Sequence, residues 1–352
     1  MNKRKYCGLA LSLIIILISA WISLANAKIS RAADWQLKAQ AATRMESYLQ
    51  QIRQYKQELG LEESPEDIHH SGVIGLPYTG ITTTSGAIEA KRTAANPNMS
   101  ALVVQLLREA GITSGDRVGA GFSGSFPGLN LAVLAACETM GVEIIYIPSV
   151  GSSTYGANWP ELTFPEIAAR LVEDGLLETR PVAYSYGGSK DCGLDMDQTL
   201  LSEISRRMEQ VEISLLYEED YQKNLSARRA LYQDIDCFIG VGGNLTTSGL
   251  GERDLGCGLL SNLEWIIPDE GSGLVELYGS DGLPVIYLLN IKYLAADYGL
   301  PYDPESPEPI GQGPLYQQLA YPKIPGIVGV LLCCVVLWSS FRGKRKKDEM
   351  FS

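Results

Sequence analysis

Histidine is almost missing from this chain: His69 and His70 are the only two in 352 residues. Both precede the stretch in which strands and helices alternate, so they read as loop residues and leave a Ser-His-Asp triad without a well-placed base. No Cys-x-x-Cys pair occurs among the seven cysteines, which removes a zinc ribbon. No Gly-x-x-x-x-Gly-Lys-Ser/Thr loop exists, and Gly121-x-x-Gly124 is not the dinucleotide fingerprint. Neither a metal nor an organic cofactor is expected. A basic surplus is missing as well. The formal charge is −12, and the two termini hold eight of the 29 cations but only two of the 41 acids. The interior therefore carries 21 positive and 39 negative residues, a net −18. Nucleic acid needs a basic face, so it is not an expected partner; the charge reads as a solubility device.

What the chain does have is two long uncharged apolar runs. Cys7 to Ala27 follows Lys3-Arg4-Lys5, and Ile324 to Phe341 is followed at once by Arg342-Gly343-Lys344-Arg345-Lys346-Lys347. About 20 apolar residues span the roughly 30 Å hydrocarbon core of a bilayer. Cations stay on the cytoplasmic side during insertion, which puts both tails inside and Lys28 to Lys323 outside. The first run has a second reading, because Ala25-Asn26-Ala27 has the small-x-small form of a signal-peptidase site. The interior is exported on either reading. Cys137 and Cys237 sit in apolar patterns and read as small buried hydrophobes. Cys192 and Cys257 lie in Gly-rich loops, where an oxidising compartment would let them pair.

Six segments follow: an anchor or signal (1–28), a helical stalk (29–70), an extracytoplasmic α/β domain (71–300), a Pro-rich linker (301–323), a transmembrane helix (324–341) and a basic cytoplasmic tail (342–352). The stalk rests on a helical pattern from Ala33 to Leu59, the linker on five prolines between Pro301 and Pro314. Within the domain, Arg117 to Phe122, Val142 to Pro148, Pro181 to Tyr186 and Asp236 to Val241 read as strands. Leu129 to Met140 and Glu166 to Leu171 read as helices, and the alternation continues through Leu200 to Met208, Ile213 to Tyr217, Leu225 to Tyr232, Gly273 to Tyr278, Pro284 to Leu288 and Ile291 to Tyr298. This order predicts a doubly wound α/β fold, a mainly parallel sheet with helices on both faces, flanked by the two transmembrane helices.

Ligands of open α/β sheets sit at the carboxyl ends of the strands. Four such ends are rich in Gly, Ser and Asn: Gly121 to Gly128, Ser149 to Asn158, Tyr186 to Lys190 and Gly240 to Asn244. Glycine there lets a backbone approach a ligand, and Pro127 suits the first turn of a helix whose free N–H groups attract an anion. Gly121-Phe122-Ser123-Gly124-Ser125 falls one place short of Gly-x-Ser-x-Gly. The remaining nucleophile scheme pairs a serine, Ser125 or Ser123, with Lys91, since a desolvated lysine can serve as base. The competing reading makes Lys91 and Arg92 surface cations or carboxylate clamps. The other candidate ligand-binding residues are Asn96, Gly124, Gly151, Ser152, Ser153, Asn158, Gly242, Gly243 and Asn244.

Ile81-Thr82-Thr83-Thr84, Glu89-Ala90-Lys91-Arg92-Thr93, Asn96-Pro97, Gly124-Ser125-Phe126-Pro127, Gly151 to Asn158 and Leu289-Asn290-Ile291-Lys292 together resemble the poly-gamma-glutamate system protein family. The resemblance runs from about Ile74 to Pro301 and is most specific at Gly124 to Pro127 and Ser149 to Asn158. It implies a place in making, exporting or anchoring a γ-linked polyglutamate outside the cell, and it supplies no catalytic residue. The expected function is a cell-membrane, two-pass accessory protein that binds the polymer or its membrane synthase complex at the outer face. The alternative is a serine-dependent hydrolase or transferase acting on γ-glutamyl chains.

Overall fold

The computed structural model describes residues 3–251, 253–261 and 263–342; beyond Arg342 the expected basic tail lies outside the described residues. The chain divides into two units, Met1–Ala33 with Gln317–Ser352, and Asp34–Tyr316. The first opens with α1 (Lys3–Ala25) and β1 (Lys28–Arg31). The second begins with α2 (Trp35–Glu58), β2 (Thr82–Thr84), α3 (Ile88–Ala94) and α4 (Asn98–Glu109). Then come β3 (Arg117–Phe122), α5 (Pro127–Met140) and β4 (Glu143–Pro148). The short strands β5 (Ser152–Ser153), β6 (Asn158–Trp159) and β7 (Leu162–Thr163) precede α6 (Phe164–Glu173), α7 (Gln198–Gln210) and α8 (Tyr221–Leu231). The unit finishes with β8 (Cys237–Val241), α9 (Leu245–Ser248), β9 (Gly258–Leu260), α10 (Leu274–Ser280), β10 (Val285–Leu288) and α11 (Ile291–Asp297). The chain returns to the first unit with β11 (Gln317–Ala320) and α12 (Lys323–Arg342).

In the first unit, α1 and α12 are each long and apolar enough to cross a membrane. They pack antiparallel through small side chains: Gly8 lies against Ser340, Gly329 against Ser19, and Cys333 Sγ is 3.3 Å from the Ser12 carbonyl. Small residues let apolar helices approach closely where lipid offers no hydrophobic driving force. β1 pairs antiparallel with β11, Lys28 opposite Ala320 and Arg31 opposite Gln317.

The second unit is α/β around a mixed five-stranded sheet of order β4-β3-β8-β10-β9. The first four strands run parallel and β9 pairs antiparallel with β10 at the edge. Strand periodicity sends Val118, Ala120 and Phe122 to one face, where they join Tyr146, Ile239 and Ile286 under helices α2, α4, α5 and α11. Ile145, Ile147, Phe238 and Tyr287 point to the opposite face and meet Leu225 of α8 and Leu274 and Tyr278 of α10. Helix ends follow local chemistry: Thr163 and Glu166 form a capping box on α6, Asp197 caps α7, and Gly141 closes α5 at φ 67°.

Four sequence expectations change here. The helix expected as a stalk is a layer of the domain: Ala41, Met45, Tyr48, Leu49, Ile52 and Tyr55 of α2 are all buried, packed on α4 and α5. Their three- and four-residue spacing is one apolar stripe, and that stripe is satisfied by the domain rather than by solvent. The Pro-rich stretch, at least to Tyr316, also belongs to the domain. Asp303 pairs with Arg92, the Glu308 carbonyl accepts from Asn98, and Leu315 and Tyr316 are buried. Pro181 to Tyr186 and Ile213 to Tyr217 contribute only single bridges, Ser149 to Ser185 and Tyr184 to Leu215, instead of full strands. Cys192 and Cys257 are both free thiols, while Cys137 and Cys237 are fully buried.

Candidate functional site

A cleft of about 450 Å³ opens at the carboxyl ends of β3, β4 and β8. Its wall takes Lys91, Ser123, Ser125, Gly151, Ser153, Gly243 and Asn244 from the residues singled out in the sequence. β2 pairs in parallel with β5, Thr82 opposite Ser152 and Thr84 opposite Ser153, which brings Thr83, Thr84, Ser85 and Gly86 to the same cleft. Gly188, Ser189 and Asp195 close the far side.

Lys91 is the one cation among the described residues lining this cleft. It is 97% buried and has no carboxylate beside it. Its Nζ donates to the Ser153 Oγ at 2.6 Å and to the Ser125 carbonyl, and it stands 3.7 Å from the centre of the Phe126 ring. Burial lowers its pKa to about 7, because the charged form loses water without gaining an anion. Gly86 covers this pair: a β-carbon there would come 2.9 Å from Ser153 Oγ and 3.0 Å from Lys91 Cε.

The serine hydroxyls have a common pattern. Ser123 Oγ accepts the Ser125 N–H at 3.2 Å, Ser125 Oγ accepts the Ser153 N–H at 2.9 Å, and Ser149 Oγ accepts the Gly124 N–H at 3.4 Å. No described protein group accepts the hydrogen of any of the three, so each is free to donate into the cleft. The sequence scheme that paired Lys91 with Ser125 or Ser123 is thereby corrected. The hydroxyl that Lys91 reaches is that of Ser153, and it meets only the main-chain oxygen of Ser125.

Arg92 does not reach the cleft. Its Nε and Nη2 each lie 2.6 Å from an Asp303 carboxylate oxygen, and its Nη1 is 3.5 Å from Glu66. Successive residues of a helix differ by about 100° in direction, so α3 cannot aim Lys91 and Arg92 into one cavity. Asn96 Oδ1 instead accepts the Asn98 N–H at 2.9 Å. Both residues line a separate cavity of about 310 Å³ with Asp67, His69, His70 and Glu308. There His70 pairs with Glu63 at 2.8 Å, which raises its pKa. Asn158 is structural too: its amide bonds both backbone groups of Leu76 and the Thr82 hydroxyl. Gly124, Ser152 and Gly242 sit just behind the wall. Ser152 Oγ donates to the Gly124 carbonyl, and a β-carbon on Gly242 would press on Ser123. The start of α5 does not offer the expected anion site, because a β-carbon on Gly128 would collide with the Ala94 carbonyl at the end of α3. The first turn of α5 is thus covered by α3.

The sequence reading missed Ser85, Gly86, Asp195 and Ser248 of the wall. Thr83-Thr84-Ser85-Gly86 carried a signal, since it has the same Gly/Ser/Thr character as the four loops, but its strand, β2, is only three residues long. Among the described residues no group of three or more metal-ligating side chains forms. Comparison with family models, with curated proteins and with solved structures finds no match for this chain.

Proposed function

We propose that this chain is a membrane-tethered accessory component of poly-γ-glutamate synthesis or export, and that its cleft holds carboxylates of the anionic chain. The observation that carries this reading is the set of three hydroxyls, Ser123, Ser125 and Ser149, each held by a backbone N–H and each with a hydrogen to give. Carboxylates are acceptor-only groups, and this wall presents donors around a single buried ammonium. We also read the sheet as doubly wound. β4 lies on one side of β3 and the later β8 on the other, so the cleft sits where the order reverses, the position that α/β folds use for ligands. Binding is tested with oligo-γ-glutamate and the full-length chain in detergent micelles. Lys91→Met removes a charge-assisted contact worth about 1.5–3 kcal/mol, a loss of roughly 10- to 150-fold in affinity. Ser123→Ala and Ser125→Ala should each cost about fivefold. Equal affinity in the wild type and all three variants would remove the cleft from polymer binding.

The two-pass topology, with the bilayer as partner and the domain outside the cytoplasm, belongs to the same proposal. It is supported by the cations preceding Cys7 and following Phe341 and by the antiparallel packing of α1 on α12, which puts the start of α1 and the end of α12 at one end of the pair. Alkaline phosphatase, active only outside the cytoplasm, should be active when fused after Gly299. A stably expressed but inactive fusion would reverse the orientation.

A further inference from the structure

The contact between Lys91 Nζ and Ser153 Oγ asks for more than binding. The closest side-chain partner of the Lys91 amine is a hydroxyl at 2.6 Å, and its other contacts are the Ser125 carbonyl and the Phe126 ring. Ser153 is fixed at its backbone by the Ser125 hydroxyl and by the β2–β5 pairing, and the residue lines the cleft. Gly86 stands over this pair, and a β-carbon there would come 2.9 Å from Ser153 Oγ and 3.0 Å from Lys91 Cε, so a larger residue would disturb the contact.

We propose that Ser153 and Lys91 form a serine–lysine dyad that cleaves or transfers acyl groups, with Ser153 as nucleophile and Lys91 as general base. For an amide substrate, Ser153 Oγ bonds to the carbonyl carbon as its proton passes to the neutral Lys91 amine. The carbon–nitrogen bond then breaks, and the departing amine takes that proton from Lys91, which leaves an ester on Ser153. Water, or a second amine, attacks the ester carbonyl and gives its proton to Lys91. The carbon–Oγ bond breaks, and Ser153 recovers the proton. The free hydroxyl of Ser125, 2.9 Å from the Ser153 amide nitrogen, is placed to donate to the oxyanion. The assignment of γ-glutamyl amides as substrate rests on the polymer-binding reading above; the dyad itself does not.

The test uses an alkyl fluorophosphonate, which reports a nucleophilic serine by losing fluoride to it, on the full-length chain in micelles with peptide mapping by mass spectrometry. One adduct is expected, on Ser153. Its formation rate should climb about tenfold per pH unit below the Lys91 pKa of about 7 and level off above it, because only the neutral amine accepts the proton. Ser153→Ala should abolish labelling, and Lys91→Met should slow it by several orders of magnitude while the thermal melt stays cooperative. No adduct on the folded wild type at pH 8, an adduct on Ser123 or Ser125 instead, or a rate independent of pH each overturns the dyad. Failure of labelling with intact binding of oligo-γ-glutamate sinks the dyad and spares the binding reading. Labelling of Ser153 in a chain that does not bind the oligomer supports the dyad and removes only the polymer.

Discussion

Arg228→Met is expected to destabilise the domain by about 3–5 kcal/mol, a large part of the 5–15 kcal/mol by which a folded domain typically exceeds its unfolded state. Arg228 is 1% exposed on α8 and donates from Nη2 to Asp191 Oδ2 at 2.6 Å, while its Nε donates to Asn224 Oδ1 at 2.9 Å. Asn224 in turn donates to the same Asp191 oxygen, and Ser185 Oγ donates to the other at 2.9 Å. Removing the guanidinium leaves a carboxylate in a site 2% exposed with only neutral donors, and the penalty is that of an uncompensated buried charge. Asp191 belongs to the loop that carries Gly188 and Ser189 into the cleft, so the same change should weaken ligand binding before the domain unfolds. Arg228→Met combined with Asp191→Asn removes both charges and should recover much of the loss. Urea unfolding measures both variants. A single-variant change under 1 kcal/mol would show that water reaches the pair.

Ile52→Ala should cost about 2–5 kcal/mol, the range for deleting a buried isoleucine side chain down to its β-carbon. Ile52 is fully buried in the stripe that α2 lays on α4 and α5. The polar tips around it fix the same docking: Tyr48 and Arg44 hydrogen bond Glu138 at 2.7 and 2.8 Å, and Tyr55 bonds Asp174 at 2.5 Å. A solvated stalk would tolerate this substitution within about 0.5 kcal/mol, as exposed positions usually do. Denaturant melts of the full-length chain separate the two readings. A change below 0.5 kcal/mol would return α2 to the stalk.

These two cases mark where the sequence could be read and where it could not. The strand Arg117–Phe122 and the helix read from Leu129 to Met140, which begins at Pro127, were legible because a short apolar run and a period-3.6 pattern lay between glycines and a proline. The amphipathic stripe of α2 was equally visible, but a pattern names a buried face without naming what buries it. Loop composition placed Ser123, Ser125, Ser153 and Gly243 at one sheet edge, and the structure brings them to one cleft. Ser153 as the partner of Lys91 was beyond reach. They are far apart in the chain, and their 2.6 Å contact depends on β2 aligning with β5, a two-pair bridge too short for any periodicity to announce. Arg92 was misassigned for the opposite reason, since adjacency in sequence is not adjacency in space on a helix.

The pairing of β1 with β11 has a consequence for the chain as a polymer. Arg31 faces Gln317, so the whole of the second unit is strung between two points that the ribbon holds together. While that ribbon and the helices behind it persist, an unfolded domain is a closed ring rather than a chain with free ends. Closing a loop of such length removes entropy from the unfolded ensemble equivalent to about 5 kcal/mol in the chain-entropy treatment of cross-links. The ribbon is already formed in the native state, so the folded chain gives up nothing in return. A cut after Ala27 would leave the ring closed by the four pairs of the ribbon alone, without α1 packed on α12 behind it, so retention of α1 adds to the domain's stability by keeping the ring closed in the unfolded state.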